Sequence, residues 1–165
     1  MTAGIVPFTP DITAASVPKL IRASKTFTGA ANLGAVGDCP LFTTSGRVAL
    51  DWFSVNCTTD MADTVDGALF VIGVTGNTSL LADWSASDLD VIDAGDGLEA
   101  STVATDGAAP NLAYIASAGG LLIIDSITMT ISTQAITGGT LEFYILYRPL
   151  SANGALSLGT GMVAI

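Results

Sequence analysis

From Lys25 onward, apolar and polar residues alternate with a period of two, the repeat of β-strands, and no helical period is sustained. The pattern predicts a short strand at 26–28 and another at 39–43, after the turn residues Gly34, Gly37 and Asp38. A long strand is predicted at 46–58, with Val48, Leu50 and Trp52 on one face and Phe53, Val55 and Cys57 on the other. Residues 68–75 set Ala68, Phe70, Ile72 and Val74 against Leu69 and Val71; Gly76-Asn77 reads as a tight turn into a strand at 78–82. Strands resume at 112–116 and 121–132, where Leu121, Ile123, Ile127, Met129 and Ile131 run in phase but Asp125 falls on the same face. After Gly138-Gly139, residues 140–148 alternate Leu141, Phe143, Ile145 and Tyr147 with Glu142, Tyr144, Leu146 and Arg148, and Pro149 ends the strand or marks it as an edge. The residues from Ser151 read as one more edge strand or a second tail.

About eight strands with glycine-marked turns predict an all-β fold, an antiparallel β-sandwich, with a jelly roll the first choice on strand count. Apolar positions on both faces of 46–57 predict a strand covered on both sides, by the opposite sheet and by a neighbouring subunit. Residues 1–24 differ. Pro7, Pro10 and Pro18 interrupt them, which predicts an extended N-terminal arm with a turn of helix around Leu20 and Ile21. Ile5, Val6, Phe8, Leu20 and Ile21 favour an arm laid over a neighbour, leaving 25–165 as the sandwich domain.

Composition sharpens the picture. Half of the 165 residues are hydrophobic and only 12% are charged, against about 25% in ordinary soluble domains. Such a surface is built of small and hydroxyl residues or is partly covered by partners. The net charge is −10 with five cations, too few for binding duplex phosphates, so no direct nucleic-acid contact is expected. Lys19, Arg22 and Lys25 lie together, Arg47 follows, and no cation recurs until Arg148. An acidic body with a basic N-terminal segment suggests contact between arm and neighbour; acids that merely keep an apolar subunit soluble are the plain alternative. No stretch reaches the roughly 18 apolar residues of a spanning helix. Lys19, Arg22 and Lys25 stand where a signal peptide would be most hydrophobic, which predicts a soluble protein that is not exported by the standard route and has no membrane partner.

The chain has no histidine, which removes Ser-His-Asp and Cys-His catalysis and His-based zinc sites. Cys39 and Cys57 cannot build a four-thiolate site; the sequence favours buried free thiols over a Cys39–Cys57 bridge. A carboxylate pair around Glu99 and Glu142 could serve a glycosidase, but the aromatics fall at strand-core positions rather than lining a groove. The acidic run 88–96 lacks the spacing of a calcium loop and reads as a solvated loop, within a long segment, 83–110, of the kind that contacts partners. Trp52 reads as core, and Trp84 equally as a core or an interface anchor. The expectation is a non-enzyme with no cofactor and no metal, whose candidate interface residues are Phe8, Lys19, Leu20, Ile21, Arg22, Lys25, Trp84 and Arg148.

Three stretches carry a resemblance: 46–50 (GRVAL) with 55–59 (VNCTT); 74–78 (VTGNT) leading to 90–95 (DVIDAG); and 142–151 (EFYILYRPLS). Together they resemble small virion structural proteins of tailed bacteriophages, over roughly residues 25–155. The resemblance implies a capsid decoration (cement) protein, made in the host cytoplasm and located on the capsid surface of the virion. Its implied partners are itself, as a homo-oligomer with a trimer favoured, and the major capsid protein. A tail-tip or fibre receptor-binding module is the alternative, with a head-completion or tail subunit behind it.

Overall fold

A computed structural model of the chain describes residues 17–65, 67–84, 89–98, 121–123 and 125–165. Its strands, numbered in chain order, are β1 (Lys19–Thr26), β2 (Gly37–Ser45), β3 (Val48–Asp63), β4 (Leu69–Val74), β5 (Asn77–Trp84), β6 (Gly97–Leu98), β7 (Leu121–Ile123), β8 (Ile127–Ser132), β9 (Ile136–Pro149), β10 (Ala155–Leu158) and β11 (Met162–Ala164), with a 3-10 turn at Leu89–Val91. The first sheet runs β11-β1-β9-β3-β6, with β7 also on β3, and the second runs β10-β2-β8-β4-β5. Every pairing between these strands is antiparallel. Early and late strands interleave in both sheets, and β10 and β11 each add a strand to one edge.

The inward residues of the two sheets share one core, in which Phe143 of β9 meets Phe42 of β2 edge-on, ring centroids 6.2 Å apart. Aromatic pairs of this geometry add about 0.5–1.5 kcal/mol beyond the area they bury. The all-β sandwich expected from the alternation is therefore the observed architecture.

Several local expectations change. Residues 19–24, predicted to close an arm with a turn of helix, form most of β1, which pairs along its length with β9. The alternation there was masked because its inward positions are Ile21, Ala23 and a buried Lys25. Residues 121–132 are not one strand: β7 belongs to the first sheet and β8 to the second. Asp125 stands exposed at the crossing, which explains a charge in phase with apolar neighbours. The turn between β4 and β5 centres on Thr75-Gly76, one residue earlier than predicted, because Val74 pairs with Asn77. The tail after Ser151 supplies β10 and β11. The strand predicted at 112–116 and the arm residues 1–16, Phe8 included, lie outside the described residues.

The largest correction concerns β3. Leu50 pairs with Tyr147 but Trp52 pairs with Leu146, so Asp51 is an extra residue in the strand. This β-bulge shifts the alternation by one. Val48 and Leu50 before it, and Phe53, Val55 and Cys57 after it, all point into the same core, whereas Trp52 turns outward and is 42% exposed. The two predicted apolar faces are thus largely one core face, and Trp52 lies on the other side of the sheet with Ala49.

Candidate functional site

The outward residues of the first sheet form its most distinctive surface. The register sets Leu20 of β1, Leu146 of β9 and Trp52 of β3 side by side across three strands. Leu20 is 57% exposed and Trp52 42%; an apolar row on the solvent side of a sheet is the kind of patch that a partner covers. Covering that 42% of Trp52 removes roughly 100 Å² from water, about 2.5 kcal/mol at 25 cal/mol per Å².

Polar groups flank the row on both sides. In one direction, the Arg22 guanidinium lies 5.2 Å from the Tyr144 ring centroid, and the Tyr144 hydroxyl donates to Glu142 Oε2 at 2.6 Å. The ring thereby holds Arg22 extended over the face, a contact worth about 0.5–1 kcal/mol when exposed. In the other direction, Arg148 Nε donates to Asp51 Oδ2 at 2.6 Å and Nη2 to Asp51 Oδ1 at 2.8 Å. This fork fixes the bulged residue, and with it the outward turn of Trp52. The hydrogen bonds and charge of Asp51 push the Arg148 pKa up. Around the β1 edge the face continues into a groove of about 320 Å³ lined by Leu20, Ile21, Arg22, Leu156, Leu158 and Ile165 among others.

The candidates named from sequence divide accordingly. Leu20, Arg22 and Arg148 lie on this face, and Lys19 is exposed beside it. Ile21 packs inward against the core. Lys25 is 0% exposed, its Nζ donating to Thr160 O at 2.7 Å and Pro40 O at 3.2 Å; it cannot reach a neighbour and instead ties β1 to β2 and to the turn before β11. Trp84 stacks on Phe70, centroids 5.8 Å apart and planes at 9°, and packs against the core. Its side chain is half-buried, resting on the core with part of its surface open. The face also contains Trp52, Tyr144 and Leu146, which sequence reasoning missed as interface residues. The available signal was at 50–53, where Asp51 interrupts Leu50 and Trp52-Phe53 and breaks strict alternation.

Cys39 and Cys57 are buried free thiols. Burial pushes both pKa values up; the Lys25 charge opposes it at Cys39, and Asp60, Asp96 and Asp93 reinforce it at Cys57. In the acidic segment, Leu89 and Ile92 insert into the core, while Asp60 Oδ1 accepts from Ala94 N at 2.8 Å and Asp96 Oδ2 from Asp93 N at 3.0 Å. These two carboxylates hold the backbone of the loop. Among the described residues no group of three or more His, Cys, Asp or Glu side chains could hold a metal ion, and no helix is long and apolar enough to cross a membrane.

No protein-family model matches the chain, and no curated protein matches it. Among solved structures, a chain of the "Cyanophage Pam1 capsid asymmetric unit" is similar, with a TM-score of 0.51 and 12% identity over 90% of this chain and 92% of that one. The two chains share a fold over nearly their whole lengths.

Proposed function

We propose that this chain is a structural subunit of a tailed-phage virion, a capsid decoration (cement) protein that oligomerises on the head and stabilises the shell. The observation that carries the reading is the outward face of the first sheet, where exposed Leu20 and Trp52 flank half-buried Leu146 in an apolar row framed by Arg22, Tyr144 and Arg148. Trp, Tyr and Arg are the side chains that dominate protein–protein binding energy, and a sheet face of this kind suits a flat, repeated partner. Fold likeness to a chain from a phage capsid asymmetric unit supports the same reading, as do the small charged fraction and the absence of histidine. The work proposed is adhesion, without a catalytic step. A tail-tip role would make Trp84 the aromatic of a recognition loop, yet its ring is engaged with Phe70.

The test is addition of purified protein to heads stripped of it. The wild type is expected to bind in many copies per head and to raise the temperature at which heads release DNA. A Leu20→Ser/Trp52→Ser variant that folds normally is expected to bind at least tenfold more weakly, since the covered apolar area is worth a few kcal/mol. Undiminished binding of that variant would remove the face from the contact.

A further inference from the structure

Among the described residues the cations gather toward one end of the molecule, where Asp51 is paired with Arg148 and Asp125 is the other carboxylate, and a group of exposed carboxylates lies toward the opposite end. Lys25 being buried, the remaining cations are Lys19, Arg22, Arg47 and Arg148. All four lie toward the end where β1 and β3 begin and β9 finishes: Lys19 pairs with Tyr147, Arg22 with Tyr144 and Ala49 with Arg148, while Arg47 O accepts from Leu150 N at 2.8 Å. The other end, where β3 finishes, is acidic. Asp60, Asp93 and Asp96 are exposed there, gathered because the 89–98 segment is clamped to β3 by Met61 N to Ile92 O at 3.1 Å and Cys57 N to Asp96 O at 2.8 Å. Nine steps along β3 lead from Asp51 to Asp60, at most roughly 30 Å at the rise of a strand. Exposed apolar residues occur at both ends: Leu20, Trp52 and Leu150 at the cationic one, Val36, Val65 and Val91 at the acidic one.

From this arrangement we infer that the cationic, aromatic end of the first sheet docks on the acidic end of a second copy of the same chain, head to tail. The inference rests on the reading of that face as a docking surface and names its occupant. Arg22, held over the face by Tyr144, meets carboxylates such as Asp93, and the Leu20–Trp52 row covers Val65 and Val91. Two like ends repel or leave their charges unpaired, so the contact pairs opposite ends of the two copies. Such a heterologous contact closes into a ring when the rotation allows, a trimer being one such ring.

Arg22 and Asp93 are the residues to reverse, because both are exposed and the Asp93 carboxylate, unlike those of Asp60 and Asp96, holds no backbone N–H among the described residues. Self-association of the full chain is measured by sedimentation for the wild type, Arg22→Glu, Asp93→Lys and the double variant, after their melting temperatures are shown to match. Each single reversal is expected to weaken association about tenfold, and the double variant to recover most of it, because opposite charges face each other again at every contact. Added salt is expected to weaken the wild-type association. A double variant that associates no better than the worse single variant overturns the inference. So does a wild type that stays monomeric to about 100 μM; if that monomer still adds to stripped heads, only the head-to-tail contact falls. Charge-rescued oligomers that never add to heads keep the contact and overturn the decoration role instead.

Discussion

Arg148 and Asp51 form a two-toothed ion pair across β9 and β3, at 2.6 and 2.8 Å, and Asp51 is itself the extra residue of the β3 bulge. One pair therefore fixes where the strand changes phase, which side chains enter the core after it, and that Trp52 points outward. The pair is partly exposed, with side-chain exposures of 31% and 19%, so its energy is screened by solvent. Arg148→Ala and Asp51→Ala are each expected to cost about 1 kcal/mol, with a coupling of about 0.5–1 kcal/mol in a double-mutant cycle read by urea unfolding. A coupling of zero would mean that the bulge is fixed by the core alone.

Trp52 separates docking from folding. Because it lies outside the core, Trp52→Ser is expected to change unfolding free energy by less than about 1 kcal/mol. Phe143→Ala, which empties the centre of the core, is expected to cost about 3–5 kcal/mol. Equal losses in urea titrations of the two variants would return Trp52 to the core.

The sandwich was legible in the sequence because alternation is enforced wherever one face of a strand is buried; the inward run of β9, Leu141, Phe143, Ile145 and Tyr147, is as predicted. What failed to show were events that break the period. The Asp51 bulge made one buried face look like two, and the crossing at Asp125 joined strands of different sheets into one apparent run. Lys25 hid β1, since a buried amine is recognisable only once the carbonyls that receive it are known. The docking face was partly legible through its cations, but its apolar row depends on a register that brings residues 20, 146 and 52 together.

Lys25 is a structural residue with a specific hydrogen-bonding task. Lys25→Ala removes the donor to the Pro40 and Thr160 carbonyls and leaves a cavity, at an expected cost of about 2–4 kcal/mol. Lys25→Met, which keeps the volume, is expected to cost about half as much. Chemical denaturation of both variants checks the order; a neutral Lys25→Ala would mean that both carbonyls are satisfied without it.

The two thiols set an alkaline limit. Burial holds both above the ordinary value of 9.0, so the unfolded chain loses these protons first as pH rises. Their contribution to stability is complete below about pH 9 and is lost as pH climbs toward the folded values. Urea titrations under reducing conditions from pH 7 to 10.5 are expected to show a shallower alkaline decline in a Cys39→Ala/Cys57→Ala variant than in the wild type. Identical slopes would place the decline on other groups.

The most direct measurement of the proposed role is cryo-electron microscopy of purified particles, reconstructed with symmetry imposed and then relaxed. The expected result is many copies on the outer capsid lattice with Leu20, Leu146 and Trp52 buried at a protein–protein contact. A few copies at the tail, or a lattice subunit whose first sheet faces open solvent, would contradict it.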